Sequence, residues 1–171
     1  MKRQVFLVGY RATGKSTIGK ELASAINWKF VDLDKEIEML SSKSIRKIFE
    51  EDGEDKFREL ETEALRCFSK EDKVVISTGG GVVIKEENRR IMENGFVVLI
   101  ESSMETIIKR MKADSSRPPL TTLTLEEEVK KTISERKPFY EKVYHIKVIN
   151  ENISIESLVQ LIKNSLPFNL H

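Results

Sequence analysis

The segment Gly9-Tyr-Arg-Ala-Thr-Gly14-Lys15-Ser16 carries the clearest chemistry in the chain, because it fits the spacing G-x-x-x-x-G-K-[ST]. Backbone N–H groups from Gly9 to Lys15 can turn inward and ring a phosphate. A helix starting there adds its unpaired N–H groups and positive dipole end. Lys15 is placed to neutralise β- and γ-phosphates, and the Ser16 hydroxyl to ligate Mg²⁺. The nucleotide contacts expected are Gly9, Ala12, Thr13, Gly14, Lys15, Ser16 and Thr17. Tyr10 and Arg11 lie inside the loop with no assigned role. A second cluster, Asp32-Leu33-Asp34, places two carboxylates one residue apart. Such a pair can serve a metal ion and an acceptor hydroxyl separately. Asp32 suits Mg²⁺ held through water. Asp34 suits accepting the proton of an attacking hydroxyl. The plain alternatives are a chance glycine turn for the loop and helix N-capping for the aspartates.

These residues need elements to hold them. Short apolar runs (Gln4–Val8, Lys29–Val31, Val74–Ile76, Phe96–Ile100, His145–Ile149) alternate with amphipathic stretches. Helices are expected over Ser16–Ile26, in pieces over Ile37–Ser69, then over Glu86–Glu93, Thr106–Met111, Leu125–Lys142 and Ile155–Leu166. The pieces break near Ser41–Ser44 and Asp52–Gly53. This alternation, with strands apolar on both faces, predicts an α/β fold: a parallel sheet with helices on each side. Ligands of such sheets bind beyond the carboxyl ends of the strands, where both clusters fall.

The 171 residues suit one domain with a real core. With 29 basic and 28 acidic residues, the net charge of +1 argues against a nucleic-acid or anionic-membrane binder. The lone Cys67 excludes an internal disulfide and a multi-cysteine zinc site. His145 and His171 have no ligand spacing. The apolar run after Lys2 and Arg3 stops at Tyr10, too short for a signal peptide. A cytoplasmic monomer without a membrane segment is expected.

Beyond the loop and the aspartates, the chain carries Phe57-Arg58-Glu59-Leu60-Glu61, Gly79-Gly80-Gly81, Arg117-Pro118-Pro119-Leu120 and Arg136-Lys137-Pro138-Phe139-Tyr140. In this order the segments resemble the shikimate kinases, over roughly positions 4 to 150. The loop alone is shared by many enzymes, whereas F-R-E-x-E, the triple glycine and R-x-P-x-Y together are far more specific. The resemblance implies transfer of the ATP γ-phosphoryl group to the 3-hydroxyl of shikimate, with Mg²⁺ as cofactor. It implies a three-layer P-loop kinase fold with a five-stranded parallel sheet in the order 2-3-1-4-5. It also implies one kinase domain over 1–171, a substrate-binding helical segment at about 33–61 and a mobile lid at about 112–124.

The same resemblance assigns the remaining site residues. Arg58 and Arg136 offer forked donors to the shikimate carboxylate. Asp34 holds the reacting hydroxyl, and Glu61, one helical turn from Arg58, holds that arginine in place. The backbone of Gly79, Gly80 and Gly81 contacts the substrate, since a residue without Cβ permits close approach. Arg117, in the lid, acts on the ATP phosphates, and closure there excludes water from the transfer. Arg110 stacks against adenine. Catalytic roles thus fall on Asp34, Lys15 and Arg117, and the metal on Ser16 and Asp32, because Ser77-Thr78 stands where other P-loop enzymes carry an acidic metal ligand. Relatives often have glycine at the position of Ala12; alanine fits if its φ is negative. The lid has two prolines where relatives often have one. A gluconate kinase shares the loop but has no reason to keep both arginine segments. A nucleotide-binding module without transfer activity would have no use for the acceptor clamp. Adenylate kinase suits these acceptor residues poorly.

Overall fold

A computed structural model of the chain describes residues 3–113 and 123–168. Five parallel strands form one sheet in the order β2-β3-β1-β4-β5. They are β1 (Gln4–Val8), β2 (Lys29–Asp32), β3 (Val74–Ser77), β4 (Phe96–Glu101) and β5 (Ile146–Ile149). β1 is central, pairing Gln4 with Val74 on one side and Val5 with Phe96 on the other.

The apolar strands read as unbroken runs because both faces are covered. Phe6, Val8, Val74, Ile76, Val97 and Leu99 face one core, shared with Leu33, Ile37, Phe57 and Leu65. Val5, Leu7, Val75, Val98 and Ile100 face the other, shared with Ile18, Leu22, Leu158 and Ile162. The alternation is the period-2 geometry of a strand. The second core is closed by α1 (Lys15–Ile26) and α8 (Ile155–Ser165). The first is covered by α2 (Leu33–Ser41), α3 (Ile45–Lys47), a π-helical turn (Ile48–Asp52), α4 (Gly53–Phe68) and α5 (Glu86–Met92). The breaks expected near Ser41–Ser44 and Asp52–Gly53 fall between these helices.

Two further helices, α6 (Met104–Ala113) and α7 (Leu125–Tyr140), flank residues 114–122. Those residues, with Arg117 and most of the expected lid, lie outside the described ones. α7 begins with a capping box: Thr124 Oγ1 accepts from Glu127 N, and Glu127 Oε2 accepts from Thr124 N at 3.0 Å. α6 and α7 share a small apolar cluster with Tyr10 of the phosphate loop, built on Ile107, Ile108 and Val129. α7 therefore lies over the carboxyl edge of the sheet, where β1 to β4 deliver Gly9, Asp32, Ser77 and Glu101.

Candidate active site

The phosphate loop leaves β1 at Gly9, whose φ of +144° only glycine adopts readily; a Cβ there would lie 2.2 Å from the carbonyl oxygen of Ile100. The loop is held from inside and outside. Lys15 Nζ donates to the carbonyls of Gly9 and Tyr10 at 2.8 and 2.7 Å, and Thr13 Oγ1 donates to Tyr10 O at 2.9 Å. Arg110 of α6 donates to Ala12 O at 3.0 Å, and Asn150, just past β5, donates to Thr13 O at 2.9 Å. Ala12 has φ +62°, so the negative φ that would make alanine comfortable is absent. Gly14 is the N-cap of α1, and Thr17 sits exposed in its first turn.

Asp32 does two things at once. Its Oδ1 accepts from Asp34 N at 3.2 Å as the N-cap of α2, and its Oδ2 accepts from Ser16 Oγ at 2.6 Å. The N-capping that the sequence offers as the plain reading of Asp32 is present. Ser77 Oγ lies 3.3 Å from Ser16 Oγ. These hydroxyl and carboxylate oxygens form a hard-donor set of the kind Mg²⁺ takes.

Beside the loop is a cavity of about 600 Å³ lined by Asp34, Arg58, Glu61, Gly79, Gly80, Gly81 and Arg136. All the acceptor residues expected from the sequence converge there, from α2, α4, the β3–α5 loop and α7. One wall is apolar, with Phe49 and Phe57 ring centroids 4.8 Å apart. Arg58 is fixed by its own helix. Nη1 donates to Glu61 Oε2 at 2.9 Å, and Nη2 to Glu54 Oε1 at 3.1 Å. The spacings i+3 and i−4 put all three on one face of α4. The Glu61 side chain is 1% exposed and that of Arg58 11%. Burial raises the Glu61 carboxyl above the usual glutamate range; Asp34 pushes the same way, against Arg58 and Arg136.

Arg136 differs from Arg58: among the described residues no carboxylate lies within salt-bridge distance of it. Beside it, Tyr140 donates to Gly80 O at 2.5 Å. Burial keeps that phenol well above its ordinary range despite Arg136, so it remains a donor.

The three glycines are explained by their surroundings. None has a φ in the left-handed region. A Cβ at Gly79 would lie 2.7 Å from Glu61 Oε1 and 3.1 Å from Asp34 Oδ1. At Gly80 it would lie 3.4 Å from Arg136 Nη1, and at Gly81 2.3 Å from Arg58 Nη1. Each glycine leaves room for a different site side chain.

Buried polar atoms without a hydrogen-bond partner also gather here: Tyr10 OH, Arg11 Nε and Glu61 Oε1 are three of the five found among the described residues. Asn150, Tyr140 and Glu54 escaped the sequence reading. Glu54 was accessible from its spacing to Arg58, and Asn150 from its place at a strand's carboxyl end. Tyr140 stands within R-x-P-x-Y, yet nothing local joins it to Gly80.

The shikimate kinase family model matches residues 11–167. The chain is 38% identical to a shikimate kinase of Bacillus anthracis over 165 residues, covering 96% of this chain and 98% of that one. It is 41% identical to one of Persephonella marina over 139 residues, 81% of this chain and 84% of that one.

This chain belongs to the shikimate kinase family.

Family membership makes it an ATP-dependent kinase acting on shikimate. The structure of the Acinetobacter baumannii shikimate kinase in complex with shikimate superposes with a TM-score of 0.91 at 31% identity, covering 96% of this chain and 92% of that one. The Aquifex aeolicus shikimate kinase gives 0.82 at 38% identity, with 95% of both chains covered. Both support the three-layer P-loop kinase fold, and the strand order expected from the resemblance is the one observed. A gluconokinase from Sinorhizobium meliloti shares the fold alone, at 15% identity and a TM-score of 0.60.

Proposed function

We propose that the chain moves the ATP γ-phosphoryl group to the 3-hydroxyl of shikimate within the cavity beside the phosphate loop. The observation that carries this is Arg136, a guanidinium without a salt-bridge partner among the described residues, facing a cavity whose other arginines are paired, Arg58 with Glu61 and Glu54 and Arg11 with Glu128. A ring acid supplies the missing carboxylate. Charge-assisted bonds to it are worth about 1.5–3 kcal/mol each.

The carboxylate anchored by Arg136 and Arg58 leaves the ring hydroxyls toward Asp34. Asp34 orients the 3-hydroxyl and accepts its proton as the new O–P bond forms. The bond from the γ-phosphorus to the bridging β–γ oxygen breaks, and ADP leaves with that electron pair. The loop amides and Lys15 hold the β- and γ-phosphates. Ser16 and Asp32 are the residues that would hold Mg²⁺, which supplies neutralisation of phosphate charge when bound. Arg117 is assigned to the phosphates, and Arg110 to adenine, from their motifs. Arg110 donates to Ala12 O of the phosphate loop. We propose further that one domain does all of this as a cytoplasmic monomer; no helix among the described residues is long and apolar enough to cross a membrane.

The test is ADP release from ATP with shikimate or gluconate, with and without Mg²⁺. Turnover with shikimate and Mg²⁺ is expected, together with its collapse in Lys15→Ala. Asp34→Asn should lose kcat more than affinity. ATP binding with neither binding nor turnover of shikimate would leave only a nucleotide-binding module.

A further inference from the structure

The phosphate loop is fastened to α7 by a contact that none of these roles requires. Arg11 of the loop is ion-paired with Glu128 in the first turn of α7. The side chains are 10% and 1% exposed, so the pair is nearly dry. Beside it Tyr10, 4% exposed, packs on Val129 of the same helix, and the Arg11 guanidinium lies 5.9 Å over the Tyr10 ring. Further along α7, about 12 Å at 1.5 Å per residue, comes Arg136. Loop and helix also meet across Gly80: a Cβ there would lie 3.2 Å from Arg11 N and 3.4 Å from Arg136 Nη1. The segment that holds the phosphoryl donor and the helix that anchors the acceptor are therefore joined by one apolar and one ionic contact.

We propose that Arg11 and Glu128 are positioning residues for the transfer: their pair locks the phosphate loop to α7 and so sets the distance between the γ-phosphoryl group and the acceptor hydroxyl. The assignment rests on the transfer reading above. A loosened joint leaves Lys15, Arg58 and Arg136 in place, although Arg11 itself lines the cavity. Such a joint does relax the alignment of two reacting groups, and misplacement by 1 Å can cost about 100-fold in rate. The signature is a loss in kcat with both ligand affinities kept.

The experiment compares the wild-type chain with Arg11→Met, Glu128→Gln and the double variant R11M/E128M. It measures kcat, both KM values, separate binding of shikimate and of a non-hydrolysable ATP analogue, and Tm. The single variants break a nearly dry ion pair and can lose stability. The double variant replaces the pair by apolar groups of similar reach, an exchange that is often neutral or stabilising. We expect R11M/E128M to hold its Tm and both affinities within about 3-fold, with kcat down about 10- to 100-fold. Wild-type kcat in the double variant would overturn the proposal and leave the pair as structural glue. A raised KM for shikimate at unchanged kcat would overturn it too, making Arg11 a direct binding group. Absence of turnover by the wild-type chain would instead count against the transfer reading itself.

Discussion

The Arg58 guanidinium occupies the space where a side chain at Gly81 would begin, with Nη1 and Nη2 at 2.3 and 2.5 Å from a Cβ placed there. Arg58 is not free to swing clear, because Glu61 grips it from a buried position. Gly81→Ala should therefore push Arg58 off Glu61 toward the exposed Glu54. Losing one charge-assisted bond, about 1.5–3 kcal/mol, predicts a rise of about 10- to 100-fold in the shikimate KM. ATP affinity should stay near wild type. An unchanged shikimate KM would show that Arg58 relaxes without cost.

Gly79→Ala should act differently, because its Cβ meets Glu61 Oε1 and Asp34 Oδ1 rather than the carboxylate clamp. Displacing Asp34 disturbs the hydroxyl that reacts, so kcat should fall by about 10-fold or more. Comparing kcat and KM in the two alanine variants checks this. Identical kinetic profiles would contradict the division of labour among the glycines.

Arg136→Ala should weaken shikimate binding by more than about 10-fold, while ATP-analogue binding changes little. Titration calorimetry with each ligand alone separates the two effects. Equal loss of both would indicate damage to α7 as a whole.

Glu61 predicts a pH dependence. Its carboxyl is raised above 4.5, first by burial and then by Asp34. Its folded-state value exceeds its unfolded one, so its contribution to stability is fully present below the unfolded value and is lost as pH rises through the folded one. For binding the sign is opposite. Protonation as pH falls through the raised value removes the charge that holds Arg58. The shikimate KM should therefore rise on acidification, beginning above the ordinary glutamate range, and Glu61→Gln should flatten that limb. A limb unchanged in the glutamine variant would assign it to another group.

Ala12 is a cost carried by the loop. Alanine at φ +62° is disfavoured by about 1–2 kcal/mol, and glycine forfeits about 0.5–1 kcal/mol of that gain through unfolded-chain entropy. Ala12→Gly should raise Tm by a few degrees at most, since about 1 kcal/mol moves a chain of this size by about 2–4 °C. A lowered Tm would mean that the methyl group makes contacts worth more than the strain.

Much of this site is legible in the sequence, for reasons that differ by residue. The phosphate loop is a local object, since its glycines, lysine and serine act through backbone within a few positions of themselves. The Arg58–Glu61 contact was legible because one helix carries both. The meeting of Arg136 and Asp34 in one cavity is expected from a motif alone, because no spacing along the chain links them.

From the order of its residues alone, the chain determines its alternating strands and helices, the loop for phosphate and the one-helix clamp on Arg58. Each depends on neighbours within a turn or on a repeating burial period. Only tertiary structure decided that Asn150 ties down Thr13, that Tyr140 reaches Gly80, that Glu128 meets Arg11, and that three consecutive glycines each make way for a different partner. Those contacts join positions far apart in the chain, and they exist because helices packed over a twisted sheet bring them to one edge, a geometry that leaves no periodic trace in a single sequence.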